Sequence, residues 1–210
     1  ATQTIKAEQE TWGSIAQLAA ELETLATAAQ RDRWAQLLMS CGLTDEQRDD
    51  ILASDAYGPL AAEFRRAEAN GHNIEAILPR AVARYGLDDA DDIAAVLRHR
   101  LRLATAEAGR SRGRRSARMI VGLIPEPMGP MSSDMRQAIN ERKALIEQRA
   151  RALAVTAVKN RERWVEQLGE PSVDRAHWLR NVTTIAAYRD RHGITSHEPL
   201  GGQPASDNQR

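Results

Sequence analysis

Apolar residues recur at helical spacing along almost the whole chain, and this periodicity most constrains what the chain can fold into. From residue 10 to residue 41 the apolar positions follow a period close to 3.6 residues, up to a stop at Gly42. Ala, the best helix former, recurs in nearly every periodic stretch. No run of alternating apolar and polar residues is long enough to indicate a strand. The sequence therefore predicts an all-α protein.

Capping signals divide this pattern into separate helices. Thr44 and Gln47 have the spacing of a capping box, and Asn73 stands at a second helix start. Asp174 can cap a last helix, which Gly193 ends. Negative charge suits a helix N-terminus, so a further helix is expected to follow a group of four aspartates: Asp88, Asp89, Asp91 and Asp92.

Changes in composition predict four parts along the chain. Residues 1–108 are predicted to form a multi-helix bundle, and residues 109–131 a flexible linker that is rich in Arg and then contains several Pro. Residues 132–193 are predicted to form a helical hairpin, and residues 194–210 a polar, disordered tail.

A long helix dominates the predicted hairpin. It begins after a cap at Ser132 or Ser133 and can run to Leu168, before Gly169 and Pro171 end it. Within it, apolar residues repeat every seven positions, which is typical of a helix that packs against another helix. These residues are Ile139, Ile146 and Leu153. We therefore expect the long helix to pack against the shorter C-terminal helix.

The composition indicates a cytoplasmic protein that is not inserted in a membrane. The 210 residues include one cysteine, Cys41, so an internal disulfide is excluded and a reducing compartment is expected. No signal peptide and no apolar run of about 20 residues is present. The chain starts at Ala1 without Met, which would fit a segment of a longer polypeptide, although a tag remnant or Met removal would look the same.

The motifs that carry common enzyme chemistry are absent from the sequence. None of the three lysines stands in the Gly-Lys-Ser/Thr context of a phosphate-binding loop. The five histidines and Cys41 show no short metal-ligand spacing, and no Gly-x-Ser-x-Gly nucleophile elbow occurs. We therefore expect no catalytic residue, no metal and no cofactor.

The charge is zero overall but unevenly distributed, because eight arginines and one acid lie between Arg98 and Arg118. Arginines in a mobile Gly- and Ser-containing stretch can bind a phosphate backbone without reading its sequence. The candidate nucleic-acid-binding residues are Arg110, Arg112, Arg114, Arg115 and Arg118. Two other interpretations remain open: a solvated linker that is polar for solubility, and a segment that binds an acidic protein surface.

The aromatic residues are interpreted mainly as packing residues. All four Trp lie on apolar helical faces, where a core role is favoured. The alternative is that Trp164 and Trp178 are exposed anchors for a protein partner. Tyr188 is interpreted as structural, and its neighbours Arg189, Asp190 and Arg191 are expected to face solvent at a helix end.

Several segments together resemble the C-terminal region of large conjugative relaxase–helicases of the TrwC/TraA type, found in actinobacterial plasmids and integrative elements. The likeness covers roughly residues 40–200 and is strongest in Leu-Ile-Glu-Gln-Arg-Ala-Arg-Ala-Leu (145–153) and Ala-Ala-Tyr-Arg-Asp-Arg-His-Gly-Ile (186–194). Ala-Asn-Gly-His-Asn-Ile-Glu-Ala-Ile-Leu-Pro-Arg (69–80), Leu-Asp-Asp-Ala-Asp-Asp-Ile-Ala-Ala-Val-Leu (87–97) and Gly-Leu-Ile-Pro (122–125) add to it. The family's nicking and helicase motifs have no match here, so none of those residues is carried over.

The resemblance implies an accessory region of a DNA-transfer enzyme. Such regions recruit other transfer proteins or contribute to DNA handling, so the expected partners are relaxosome components or type IV secretion coupling proteins. An auxiliary domain that binds single- or double-stranded DNA through the arginine cluster is the alternative. Self-association through the long helix is a third possibility.

Overall fold

The computed structural model describes residues 13–111, 117–171 and 174–202, and within them the fold is all-α, as predicted. These ranges hold eight helices and one pair of two-residue strands. The elements are α1 (Ile15–Met39), α2 (Asp45–Ala53), α3 (Tyr57–Ala69), α4 (Ile74–Ala83), α5 (Ile93–Ser111), β1 (Met119–Ile120), β2 (Ile124–Pro125), α6 (Ser133–Lys159), α7 (Arg163–Glu166) and α8 (Arg175–His192).

The chain divides into two compact units, and each is built from more than one stretch of sequence. The middle unit comprises residues 23–119 and 125–136 of the described chain. The terminal unit comprises residues 13–22, 120–124 and 137–202 of it. The first two turns of α1 therefore belong to the terminal unit, unlike the predicted N-terminal bundle of residues 1–108.

Helix α3 lies at the centre of the middle unit. Its apolar residues Leu60 and Phe64 are fully buried, and the ring of Phe64 packs 4.9 Å from that of Trp34 on α1. Aromatic side chains bury large apolar areas, and Trp34 and Phe64 are the two largest fully buried side chains of the described residues. Helices α4 and α5 complete it with Leu78, Leu97 and other aliphatic residues.

The terminal unit packs α6, α7 and α8 around a smaller core. Its buried members are Ala154, Ala157, Trp164, Val165, Val182 and Ala186. Of the heptad residues, Ile139 is 4% exposed, Ile146 is fully buried and Leu153 is half-buried against this core. The heptad pattern of the sequence therefore marks the face that α6 buries inside the unit.

The helix starts predicted from local sequence are confirmed. Thr44 and Gln47 form a complete capping box, and Asn73 Oδ1 accepts the Ala76 N–H at 3.2 Å. Asp174 Oδ1 accepts the His177 N–H at 2.8 Å, and Gly193 ends α8 in the left-handed conformation. These signals are reliable because the donor and the acceptor lie within one helical turn of each other.

The prediction that the long helix runs to Leu168 is wrong, because α6 ends at Lys159. Arg161 takes a left-handed φ of 50°, and the Glu162 N–H donates to the Ala157 carbonyl at 3.1 Å. This is the hydrogen bond of a Schellman C-cap. Glycine usually occupies the left-handed position of such a cap, so the sequence around Arg161 does not indicate that a helix ends there.

The linker predicted at residues 109–131 is largely structured in its described part. Helix α5 continues to Ser111, and β1 pairs with β2. Gly122, with a φ of 75°, turns between the strands, and a Cβ there would lie 2.8 Å from Thr184 Oγ1. Only glycine fits this turn without displacing Thr184. Residues 112–116 lie outside the described residues.

The disordered tail predicted at residues 194–210 is wrong for residues 194–202. The Ile194 N–H donates to the Arg189 carbonyl at 2.9 Å, and the Gln167 side chain donates to the His197 carbonyl at 3.1 Å. The segment follows the surface of its own unit because side chains satisfy its backbone carbonyls. Residues 203–210 lie outside the described residues.

Candidate functional site

The structure describes the side chain of only one of the five candidate arginines. Arg118 is exposed, and its guanidinium lies 3.9 Å from Met128 Sδ. Its backbone is fixed, since its N–H donates to the Ala69 carbonyl at 2.8 Å and its carbonyl accepts the Glu126 N–H at 3.0 Å. Arg110 lies in the last turn of α5, but its side chain is outside the described part. Arg112, Arg114 and Arg115 lie wholly outside it.

Two further arginines extend the basic character along α5. Arg98 is half-buried and Arg102 is exposed, and they are four positions apart, so both lie on one side of the helix. Within the described residues neither forms an ion pair with a carboxylate. Both guanidinium groups therefore keep their charge available to an external anion.

Arg100 is not part of this basic surface, because it caps the C-terminal end of α4. Its guanidinium donates to the carbonyls of Ala81, Tyr85 and Gly86, each at 3.1 Å. These carbonyls lie where a helix leaves acceptors without intrahelical donors. This role could not be predicted from the sequence, since nothing local distinguishes Arg100 from Arg98 or Arg102.

Trp164 packs in the core of the terminal unit and does not offer a surface to a partner. Its side chain is 3% exposed, the Arg189 guanidinium lies 5.1 Å from its ring, and its Nε1–H donates to Glu162 at 2.5 Å. The candidate role as an exposed anchor is therefore wrong for Trp164. The packing role that the sequence favoured for the tryptophans accounts for it.

Trp178 is half-buried and remains a candidate for partner contact. It packs against the same core, and its Nε1–H donates to the Gly169 carbonyl at 3.1 Å. The adjacent Leu179 is 45% exposed. Trp178 is the only residue from 175 to 181 that is not exposed, and these other residues are Arg175, Ala176, His177, Leu179, Arg180 and Asn181. The first half of α8 thus presents one leucine among basic and small side chains.

The charges near the end of α8 do not face solvent as predicted. Arg189 is 9% exposed and donates to the carbonyls of Ser196, Glu198 and Pro199 at 2.6, 2.5 and 3.2 Å. Burial lowers the pKa of its guanidinium, an effect that the Glu162 carboxylate opposes. Arg189 therefore has a structural role: it holds the chain that follows α8.

Asp190 links the two ends of the terminal unit. One carboxylate oxygen accepts the Ile15 N–H at the start of α1 at 2.7 Å, and the other accepts an Arg149 N–H at 3.0 Å. An acid at a helix N-terminus satisfies a free N–H and favours the helix dipole. Sequence reasoning missed this contact because its two partners are 175 residues apart.

The middle unit contains a buried arginine that the sequence did not single out. Arg65 is 4% exposed and donates to Thr27 Oγ1 at 3.1 Å. Burial lowers the pKa of its guanidinium, and the nearby Glu23 carboxylate counteracts this. This hydrogen bond joins α3 to α1. We assign Arg65 a structural role between α1 and α3.

Metal-binding clusters and membrane spans are not found in the described residues. Residues 13–111, 117–171 and 174–202 contain no group of three or more His, Cys, Asp or Glu side chains that could hold a metal ion. No helix in these ranges is both long and apolar enough to cross a bilayer.

The Cys41 thiol is buried, which raises its pKa, and it contacts the Leu37 carbonyl at 3.0 Å.

No protein-family model matches this chain, and no curated protein or solved structure is significantly similar to it. The comparisons assign no family. Candidates for function in the described chain are the basic side of α5, the separate exposed arginine Arg118, and the exposed first half of α8.

Proposed function

We propose that this chain is a non-catalytic accessory domain of a conjugative relaxase–helicase in the cytoplasm. In this role it recruits a relaxosome component or a type IV secretion coupling protein during plasmid transfer. The family is supported by the likeness of the sequence between residues 40 and 200. The recruiting role is supported by one observation above all, the exposure of Leu179 beside Trp178 at the start of α8.

The first half of α8 has the chemistry of a small docking surface. Its central residue, Leu179, is 45% exposed, and the core of the terminal unit does not include it. The half-buried indole of Trp178 is already held by its hydrogen bond to Gly169. A rigid aromatic side chain loses little conformational entropy on binding, and Arg175 and Arg180 add charge at its rim. This combination favours a partner with an apolar pocket bordered by acidic residues.

Leu179→Glu is expected to weaken binding to the purified coupling protein or relaxosome component by at least about tenfold. The reason is that burying one leucine contributes roughly 1.5–3 kcal/mol and a buried carboxylate would oppose it. Biolayer interferometry with the full chain measures the change. Leu103→Glu is the matched control, because Leu103 on α5 is also 45% exposed. Equal affinity of both variants and the unaltered chain would reject α8 as the docking surface.

An auxiliary DNA-binding role is the second candidate, and the charge of α5 favours it. Arg102 and Arg118 are exposed, and neither forms an ion pair with an acid of the described residues. The five arginines proposed from the sequence continue this basic character from the last turn of α5 to Arg118. Contacts of this kind bind phosphates without base specificity, and their strength falls steeply with salt.

If DNA binds there, replacing the five arginines by Ala will reduce the slope of log affinity against log salt. Each lost phosphate contact removes roughly 0.9 from the slope for duplex DNA and roughly 0.7 for a single strand. Fluorescence anisotropy at several salt concentrations measures it. The matched control replaces five other arginines, Arg84, Arg136, Arg163, Arg175 and Arg180, so that the net charge changes equally. The same slope in both variants would exclude a specific role for the cluster.

A further inference from the structure

Helix α6 carries a second regular stripe on the side opposite its buried face. Six residues spaced by four, three, four, three and four positions are all exposed, and Leu145 and Val155 among them are 43% and 62% exposed. We call them the outer stripe: Glu141, Leu145, Gln148, Ala152, Val155 and Lys159. This spacing places all six within roughly 40° of one line along the helix. It is the spacing of the seam between two helices in a coiled coil.

The opposite face of α6 is already used inside the terminal unit. Ile146 and Ala150 are fully buried, and Ala154 is 1% exposed. The outer stripe is therefore not needed for the core of its own unit. A helix with coiled-coil spacing on an exposed side has a surface suited to a second helix.

We propose that the outer stripe binds the outer stripe of a second copy of this chain, with the two helices antiparallel. The spacing reads the same in both directions about residue 150, so a two-fold axis there brings each position against a complementary one. Leu145 then lies opposite Val155 of the second copy, and Gln148 opposite Ala152. Each of these contacts occurs twice because the interface is symmetric.

The residues beside the outer stripe extend the apolar contact. Ala144 and Val158 lie next to the stripe on one side, and Val158 is 37% exposed. In the antiparallel arrangement Ala144 lies close to Val158 of the second copy. A small residue opposite a larger one allows the two helices to approach and still fill the space between them.

The charges at the two ends of the stripe favour the antiparallel direction and a second copy as the occupant. Glu141 lies opposite Lys159 of the second copy, whereas a parallel pair would place each charge against its own kind. The only described partner of the Glu141 carboxylate is the Gln137 amide at 3.0 Å. Lys159 forms no ion pair with any acid that the structure describes. Both charges can therefore reach a partner chain.

One arginine near the axis limits the strength of this contact. Arg151 lies close to Arg151 of the second copy, but its guanidinium is 3.6 Å from Glu147 of its own chain. This ion pair reduces the repulsion between the two arginines. With three apolar side chains on the stripe itself, we expect reversible dimers that dissociate on dilution.

Sedimentation equilibrium of the full chain over a wide concentration range tests the proposal. The unaltered chain is expected to form a dimer, and Val155→Lys to weaken it by at least tenfold. Val155 is exposed, so this change leaves the core intact, and circular dichroism checks the fold. Leu103→Lys, on α5 of the middle unit, is the matched control and should leave the dimer unchanged. A chain that stays monomeric at the highest concentration, or a dimer that Val155→Lys does not weaken, overturns the proposal.

A charge exchange tests the direction of the two helices. Glu141→Lys and Lys159→Glu should each weaken the dimer several-fold, because each creates two pairs of like charges. The double variant should recover the original affinity, since opposite charges again face each other. A double variant that is as weak as the single variants would overturn the antiparallel register. Single variants that leave the affinity of the dimer unchanged would indicate a parallel pair, in which each charge still faces its own kind, and would overturn it as well.

Discussion

Trp34→Ala is expected to lower the free energy of unfolding of the middle unit by about 3–5 kcal/mol. Trp34 is fully buried, and it packs against the ring of Phe64 at 4.9 Å and under the Arg33 guanidinium at 4.3 Å. Removing the indole leaves a cavity in a core with one Phe and otherwise mainly aliphatic side chains. A domain of this size has a total stability of roughly 5–15 kcal/mol, so the loss takes up much of it.

The buried thiol of Cys41 provides the measurement for this variant. Cys41 is 8% exposed and belongs to the same core cluster as Trp34. Because burial raises its pKa, the thiol reacts slowly with thiol reagents while the unit is closed. Trp34→Ala should raise the rate of Cys41 labelling by at least about a hundredfold, as the population of open molecules grows.

Trp34→Phe is the matched control for the cavity. It retains an aromatic ring beside Phe64 and removes the indole N–H, which has no hydrogen-bond partner in the described chain. An unpaired buried donor costs stability, so its removal offsets part of the lost volume. The labelling rate of Trp34→Phe should therefore stay much closer to that of the unaltered protein. If Ala and Phe accelerated labelling equally, cavity formation would not be the cause.

Asp190→Ala is the second large effect that we expect, at about 2 kcal/mol in the terminal unit. The change removes the acceptor of the Ile15 N–H and leaves the Arg149 guanidinium without its carboxylate. The Arg149 side chain is 33% exposed, so water screens part of the ion pair. The expected loss in free energy of unfolding is therefore smaller than for a fully buried pair.

Hydrogen exchange locates this effect within the chain. The amides of residues 15–22 should exchange faster in Asp190→Ala, whereas those of residues 57–67 in α3 should not change. Asp190→Asn is the control, because its amide oxygen can still accept from Ile15 while the charge is lost. We expect it to lie between Asp190→Ala and the unaltered protein. Faster exchange throughout both units would indicate general destabilisation and contradict a local link.

The parts of the fold that could be predicted from the sequence are those set by neighbouring residues. Helical periodicity, the capping box at Thr44 and the caps at Asn73 and Asp174 depend on atoms within one turn. The end of α6 was missed because the left-handed residue of its C-cap is Arg161, a position where glycine is the usual signal.

The roles of the charged side chains could not be predicted, because their partners are distant or are backbone atoms. The sequence predicts that Arg189 and Asp190 face solvent at a helix end, and it predicts no particular role for Arg100. Two of them donate to backbone carbonyls and the third caps a helix from the other end of the chain. Carbonyl acceptors leave no trace in a sequence, since every residue carries one. The same limit applies to the candidate surfaces, since exposure of Leu179 depends on which neighbours fold over it.

The division of the chain between its two units has a consequence for the order in which they form during synthesis. All segments of the middle unit have been made once residue 136 has left the ribosome, whereas residues 13–22 must wait for α6 and α8. The link from Ile15 to Asp190 closes a loop of 175 residues. If the middle unit has already folded, most of that loop is compact, and its closure costs less entropy than in an unfolded chain. Vectorial synthesis therefore favours the terminal unit as the last part to fold.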